Sequence, residues 1–139
     1  MCLNVLEHVR DGAHVIRECA RVLREGGVLV LCVPFLYPLH TAQHPEFFVD
    51  DFIRYSESAL RRLLLEDGRF RQMVVRTLGC GPFTAAANIL VTEFKLRVLK
   101  ALVTLTALAL DRVHGYFHAR RRSIARTAWP IGYYVEAIR

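Results

Sequence analysis

Four side chains in the first third of the chain have the chemistry of a metal site or of acid–base catalysis. They are the carboxylate of Glu7 and the imidazoles of His8, His40 and His44. Carboxylate and imidazole together suit Mg, Mn or Zn. A histidine can instead act as a general base, because imidazole titrates near neutral pH. The other interpretation is that Glu7 caps or pairs locally while His8 lines a pocket without a metal, and we predict no metal.

A second polar pair lies further along, where Asp51 and Arg54 are three positions apart. That spacing suits a salt bridge if the stretch is helical. The pair would then hold its loop in place. Contact with a substrate is the alternative, and we predict the structural role.

The elements that must position these side chains follow from the apolar pattern. Residues 1–6 predict the end of a buried strand. Residues 11–24 have helical spacing, with Asp11 as N-cap and Gly26-Gly27 after the last turn. The unbroken apolar run at 28–33 is typical of a parallel strand covered on both faces. Strand, helix and strand predict a βαβ unit.

A long segment separates this unit from the next helix. Pro34 closes the strand, and residues 34–50 are rich in Pro, His and aromatic residues. Loops of this length in compact domains are usually functional or disordered, and the aromatic content argues against disorder. The remaining predicted elements are a helix capped by Ser56 to about 66, a strand at 72–78, helical stretches at about 83–92 and 94–119, and a strand at 130–138.

The order of these motifs resembles the second half of class I S-adenosylmethionine (SAM)-dependent methyltransferases. Val-Leu-Glu-His-Val at 5–9 is similar to the turn after the family's fourth strand. Arg-Val-Leu-Arg-Glu-Gly-Gly at 21–27 is similar to the lead into its fifth strand. The resemblance implies an α/β fold: a partial Rossmann-like sheet of strands four to seven, with a helical insertion before the last strand.

The resemblance continues beyond the βαβ unit. Pro34-Phe35, His40 and Asp-Phe-Ile-Arg-Tyr-Ser at 51–56 look like a subset of the family. Gly-Arg-Phe at 68–70 looks like a helix end, and Pro-Ile-Gly-Tyr at 130–133 like the start of the last antiparallel strand. The resemblance thus covers residues 1–78 and 130–139.

This resemblance implies SAM as the cofactor of the full-length parent. Methyl transfer from a sulfonium is an in-line displacement, so catalysis is mostly positioning, with a base where the acceptor must lose a proton. By the resemblance, Asn4, Val5 and Leu6 would bind the cofactor on its adenine side. His8 and His40 would face the acceptor as the catalytic residues.

Some relatives bear on the metal question. Ubiquinone-pathway O-methyltransferases and small-RNA 2'-O-methyltransferases use a Glu-His at this turn, with further acids or histidines. Asn4 stands here in place of the first acid of their Glu-x-x-Glu-His pattern, which favours the interpretation without metal.

The chain departs from the family at its front. The glycine-rich turn after the first strand and the acidic residue after the second should come before the fourth strand, and nothing precedes Met1. We therefore expect a fragment, a truncated gene or a protein completed by a partner, with little or no activity alone. The alternative is a circular permutation with Gly79-Cys80-Gly81 as the displaced cofactor turn. Thr77 and Phe83 replace its acid and third glycine, so we predict an ordinary strand-to-helix break.

The apolar helical segment at about 94–119 precedes three arginines, Arg120, Arg121 and Arg122. It belongs to a predicted insertion at about 82–125. It could cover the substrate pocket or form a homodimer surface, or lie on a membrane with the arginines against anionic lipid. Nucleic acid is the least favoured partner, because Tyr116 and Phe117 beside arginines match no recognised motif.

Composition gives the remaining limits. The 139 residues are 53% hydrophobic and 23% charged, as in a folded protein, and the net charge of +6 favours acidic partners. The four cysteines form no C-x-x-C pair and predict buried, reduced thiols in a cytoplasmic protein. No apolar run reaches the ~20 residues of a membrane span.

We therefore predict the C-terminal part of a methyltransferase that acts on a small-molecule, lipid or glycan acceptor. The competing hypothesis is a non-catalytic remnant that binds a membrane surface or a protein partner through residues 94–122.

Overall fold

The computed structural model describes residues 1–40, 50–66, 68–117 and 127–139. The chain divides into two compact units, Met1–Arg76 with Tyr133–Arg139, and Thr77–Gly132. The first unit holds the side chains predicted to do chemistry, and the second holds the apolar helical segment. His44 and the three arginines at 120–122 lie outside the described residues.

The described strands form one four-stranded sheet in the order β1-β2-β4-β3. Strands β1 and β2 are parallel, with Cys2 opposite Leu31 and Leu3 opposite Cys32. Backbone hydrogen bonds of Gly26 and Gly27 with Arg139 join the start of β2 to the end of β4, so β4 runs antiparallel. The predicted parallel pair and closing antiparallel strand are confirmed. The strands are β1 (Cys2–Leu3), β2 (Val28–Pro34), β3 (Gln72–Leu78) and β4 (Gly132–Ile138).

Four helices lie within the described ranges: α1 (Gly12–Val22), α2 (Glu57–Leu65), α3 (Pro82–Val91) and α4 (Arg97–Phe117). Two begin at the predicted caps. The Asp11 carboxylate accepts from the His14 backbone N–H at 2.8 Å, and the Ser56 hydroxyl accepts from that of Ala59 at 3.2 Å. Each cap satisfies a backbone donor that the first helical turn leaves without a partner.

The core of the first unit lies between the helices and the sheet. Helix α1 buries Gly12, Ile16 and Ala20, which recur every four residues along one face. Burial of each leucine in the core of this unit contributes roughly 1.5–3 kcal/mol to the free energy of unfolding, relative to leaving the side chain exposed. The predicted partial Rossmann-like α/β fold is confirmed. The buried cluster comprises Leu6, Ile16, Ala20, Leu29, Leu31, Val33, Tyr55, Leu60, Leu64, Phe70, Tyr133, Val135 and Ala137.

Two details of the first βαβ unit differ from the prediction. The strand predicted for residues 1–6 ends at Leu3, because Asn4 has a positive φ of 51° that no strand can continue. The chain then turns, with Val5 44% exposed and Leu6 in the core. Val22 belongs to the apolar pattern of the helix predicted at 11–24, but it is 70% exposed at the end of α1.

In the second unit, a side chain of α4 caps the N-terminus of α3. The Asp111 carboxylate on α4 accepts from the backbone N–H of Phe83 at 3.1 Å and of Thr84 at 2.9 Å, and from the Thr84 hydroxyl at 2.7 Å. A Cβ on Gly81 would overlap this carboxylate, which explains the glycine there. The extent of the insertion, about 82–125, stays a prediction.

All four cysteines are free. Cys2, Cys19 and Cys32 are half-buried, whereas Cys80 is exposed, so the prediction of buried thiols is wrong for Cys80. None of the described helices combines the length and the hydropathy that crossing a bilayer requires.

Candidate active site

The predicted catalytic residues lie beyond the carboxyl ends of two neighbouring parallel strands. After β1 the chain makes a short 3-10 turn at Leu6–His8, and after β2 it leads to His40. The Asn4 N–H donates to the Cys32 carbonyl at 2.8 Å, which fixes the exit of β1 against β2. Ligands of open α/β sheets bind at this edge.

The structure brings His8 and His40 into contact. Their ring centroids are 4.8 Å apart with an interplanar angle of 62°. The side chains are 19% and 25% exposed, so both rings can reach a ligand while remaining partly shielded from water.

Asp51 holds His40 in place. Its Oδ2 accepts from the His40 backbone N–H at 2.6 Å, and its Oδ1 lies 2.9 Å from the His40 Nδ1. Burial by itself would raise the pKa of the Asp51 carboxyl, but the two hydrogen bonds from His40 and the charge of Arg54 lower that pKa below its ordinary value. Since an ionised carboxylate can only accept, His40 donates through Nδ1 and its Nε2 is the basic nitrogen.

His8 is oriented by a different acceptor. Its Nδ1 lies 2.9 Å from the Asp50 carbonyl oxygen and 3.4 Å from the Asp51 Oδ1. A carbonyl can only accept, so Nδ1 is again the donor, and in the neutral ring the lone pair is on Nε2. The two rings therefore have the same tautomer.

Glu7 lies close to the two histidines. Its side chain is fully buried, its Oε1 lies 3.6 Å from the His8 Nε2, and neither carboxylate oxygen has a hydrogen-bond partner among the described residues. Its backbone carbonyl accepts from the Phe52 N–H at 2.7 Å, which ties the loop to the turn. Of the two predicted roles, local pairing fits the approach to His8, whereas the carboxylate forms no capping hydrogen bond among the described residues.

Glu7, His8 and His40 also form the group that could hold a metal. One ligand atom from each residue lies within 4.8 Å of the others. Two imidazoles and one carboxylate suit Zn²⁺ or Mn²⁺ with open coordination positions. The absence of a metal stays our prediction, and these three residues are where a test would find one. His44, the fourth residue of the sequence pattern, lies outside the described residues.

The predicted salt bridge between Asp51 and Arg54 is confirmed at 3.2 Å, although residues 51–54 are not helical. The same Arg54 nitrogen donates to the Pro38 carbonyl at 3.3 Å. Arg54 therefore joins the loop before His40 to the carboxylate that orients it. The sequence indicated the pair, but the link to Pro38 needed the fold.

Sequence reasoning missed three contributors to this site. One is the link from Asp51 to His40, since the carboxylate was assigned only to Arg54. Tyr37 lies beside His40, with ring centroids 5.9 Å apart. Phe52 carries the Arg10 guanidinium over its ring at 5.0 Å. The aromatic content of the loop was the available signal, and the exposed Tyr37 and Phe52 rings give this edge an apolar surface.

The predicted cofactor residues lie at the end of β1. Asn4 and Val5 are exposed there, beside β2, and could form one wall for a ligand. The Leu6 side chain is fully buried in the core, so it could reach a ligand only through its backbone. Burial raises the pKa of the nearby Cys2 and Cys32 thiols, which argues against either as a thiolate nucleophile. The assignment of Asn4, Val5 and Leu6 to the cofactor site stays a prediction.

The alternative cofactor turn at Gly79-Cys80-Gly81 is in the second unit. The Asp111 carboxylate already accepts from the first N–H groups of α3, the donors that an anionic ligand would use. This arrangement supports the prediction of an ordinary strand-to-helix break.

Comparisons with known proteins point to one family. The profile of the family described as "Methyltransferase domain" matches residues 1–31. The chain is similar in structure to phosphoethanolamine N-methyltransferase 2 of Haemonchus contortus in complex with SAM, with 11% identity and a TM-score of 0.50 over 99% of this chain and 32% of that one. A proposed sarcosine dimethylglycine methyltransferase of Galdieria sulphuraria gives 17% identity and a TM-score of 0.41 over 97% of this chain and 50% of that one. No curated protein matches the sequence.

These findings confirm the predicted resemblance to class I SAM-dependent methyltransferases and SAM as the cofactor of that family. At 11% identity the nematode enzyme supports the fold alone. The chain spans about a third of that enzyme's length (32%).

Proposed function

We propose that this chain forms the acceptor-facing half of a SAM-dependent methyltransferase, with His40 as general base, Asp51 as its positioning residue and His8 in the same pocket wall. One observation carries the proposal. The buried Asp51 carboxylate orients the His40 ring against His8 at the carboxyl ends of two parallel strands.

The residues divide the work as follows. SAM, when bound, supplies an electrophilic methyl group on a sulfonium. Asn4 and Val5, exposed at the end of β1, would border its adenine side. The Nε2 of His40 takes the proton from the acceptor, and the ionised Asp51 beside Nδ1 stabilises the imidazolium that forms. The Glu7 carboxyl group lies 3.6 Å from the His8 Nε2 on the same side of the site.

The acceptor is a small molecule, lipid or glycan precursor that carries a hydroxyl or amine. A group that must lose a proton makes use of a base, whereas an acceptor already ionised would not. The exposed rings of Tyr37 and Phe52 suit an acceptor with an apolar part. Four free thiols support a cytoplasmic location.

Two measurements test this proposal at different levels. In the first, SAM is titrated into the 139-residue chain by calorimetry. The family resemblance places a glycine-rich cofactor turn ahead of the strand that corresponds to β1, so we expect these 139 residues alone to bind SAM more weakly than micromolar. Micromolar binding would contradict the proposal that the cofactor needs further structure and would revive the turn at Gly79-Cys80-Gly81.

The second measurement is methyl transfer by the whole natural polypeptide that carries this chain. Tritiated SAM is supplied with small-molecule and lipid extracts, and label is counted in the aqueous and organic phases. His40→Gln should reduce transfer by about 100-fold or more, as expected for loss of a general base. His14→Gln is the matched control, because that ring is exposed on α1. Equal activity in both variants would exclude His40 as the base.

A non-catalytic role in binding a membrane or a protein partner is the second candidate. The apolar surface of the second unit favours it. That surface is compatible with either function, because the same polypeptide can dock and catalyse.

A further inference from the structure

The outward face of α4 is apolar. Val98, Leu102, Leu105, Val113 and Tyr116 are 73%, 57%, 63%, 53% and 80% exposed. At 3.6 residues per turn they fall, with Ala109, within an arc of roughly 80° along about 27 Å of helix. We call this set the α4 stripe.

The stripe lies roughly opposite the face by which α4 packs within its own unit. The buried residues of the helix are Ala107, Asp111 and Gly115. An amphipathic helix of a globular protein directs its apolar face to the core and its polar face to water. Here the packing face holds small residues and a carboxylate, while large aliphatic and aromatic side chains point away. A continuous row of exposed, large apolar side chains along a helix is typical of an interaction surface.

Charge identifies the kind of partner. The second unit, Thr77–Gly132, has eight Arg and Lys against two Asp and Glu, a net charge of +6. The first unit has eleven of each and is neutral. The whole excess positive charge of the chain therefore belongs to the unit that carries the stripe.

Four cations lie near the ends of the stripe. Lys95 precedes the first turn of α4 and Arg97 and Lys100 lie in that turn, away from the stripe face, whereas Arg112 borders the stripe near its end. Within the described part of the chain, these four side chains form no salt bridge, and one of the two acids of the unit, Asp111, is buried as the cap of α3. A protein partner would need a matching acidic rim, whereas an anionic bilayer offers negative charge beside apolar chains.

We infer that the second unit docks on an anionic membrane surface, with α4 in the plane of the interface, its stripe among the acyl chains and its cations against the headgroups. This geometry is that of an interfacial amphipathic helix. A shallow apolar groove between α3 and α4 of about 350 Å³, lined by Phe83, Leu90, Leu102, Val103 and Leu110 among others, adjoins the stripe and offers room for an acyl chain.

The test is co-sedimentation of the 139-residue chain with phosphatidylcholine vesicles, with and without phosphatidylglycerol. We expect binding only to the anionic vesicles. Each Lys or Arg near such a surface strengthens binding by roughly fivefold. The triple variant Lys95→Gln, Arg97→Gln, Lys100→Gln should therefore bind about 100-fold more weakly.

A matched control removes the same charge from the neutral unit. Arg21, Arg61 and Arg62 are 67%, 47% and 78% exposed, and their surface ion pairs contribute little stability. Their triple replacement by Gln should leave vesicle binding within a few-fold of the unchanged chain. Equal loss in the two triple variants would overturn the proposal, because net charge alone would then explain binding.

A second pair of variants tests the stripe itself. Val98→Gln with Leu105→Gln should weaken binding at least tenfold, whereas Val22→Gln with Leu65→Gln, exposed on α1 and α2, should not. Circular dichroism confirms that each variant is folded. Absence of binding by the unchanged chain would overturn the proposal, as would a dimer in lipid-free buffer that the Val98 and Leu105 changes dissociate.

Discussion

Asp51 accepts hydrogen bonds from both the backbone N–H and the ring Nδ1 of His40, eleven positions away along the chain. This double contact fixes the loop after β2 and the tautomer of the ring at once. His8, on the turn after β1, lies against the same carboxylate at 3.4 Å. One buried acid thus joins the two strand ends where the proposed chemistry takes place.

Stability should fall in acid because of this carboxylate. The folded protein holds the pKa of Asp51 below its ordinary value, so the unfolded chain binds the proton first as pH falls. The contribution is present above the ordinary carboxyl pKa and is lost as pH falls through the lowered pKa of the folded state. Urea unfolding of the chain and of Asp51→Asn between neutral and acidic pH measures it. The free energy of unfolding of the variant should decrease less on acidification than that of the unchanged chain. Identical pH dependence of the two free energies would contradict this account.

Gly12 should not tolerate a side chain. A Cβ there would overlap the Tyr55 hydroxyl, so Gly12→Ala should lower the free energy of unfolding by about 1–3 kcal/mol through overpacking. Tyr55→Phe removes the oxygen that clashes. The double variant should therefore recover part of the loss in a double-mutant cycle. Strictly additive effects would show that the hydroxyl is not the obstacle.

Asp111 should stabilise the start of α3. Asp111→Ala removes the acceptor of the Phe83 and Thr84 amides, which should cost about 1–2 kcal/mol. The same substitution should accelerate hydrogen exchange at the Phe83 and Thr84 amides. Glu93→Gln, an exposed acid of the same unit, is the control for lost charge. Unchanged exchange in Asp111→Ala would show that another group caps the helix.

Methyl transfer should not depend on a metal. Dialysis of the natural polypeptide against a chelator should leave its activity unchanged, because the proposed base needs only Asp51. A loss of activity that Zn²⁺ or Mn²⁺ restores, and that Glu7→Gln abolishes, would place a metal at Glu7, His8 and His40. Retention of activity after chelation, together with sensitivity to His40→Gln, is the result we expect.

The sequence predicted most of the local structure, because interactions between residues close together in the sequence determine it. The caps at Asp11 and Ser56 and the strand at residues 72–78 depend on neighbouring residues. The family resemblance implied that His8 and His40 would both face the acceptor, and the two rings are in contact. The sequence did not predict the early end of β1 at Leu3, which depends on a single left-handed residue, Asn4.

Contacts between distant residues could not be predicted. The link from Asp51 to His40 and the cap of α3 by Asp111, 27 or more positions away from its partners, require the tertiary fold. The sequence also suggested a membrane role for α4 mainly from the arginines at 120–122. The exposed stripe and the charge difference between the two units appeared only once burial and unit boundaries were known.

The most direct test of the central claim is the rate of methyl transfer by the whole natural polypeptide and by its Asp51→Asn variant. If the Asp51 carboxylate orients His40 and stabilises the imidazolium that forms when the acceptor gives up its proton, the variant should be slower by roughly 100-fold. Equal rates would show that the Asp51–His40 pair takes no part in the reaction.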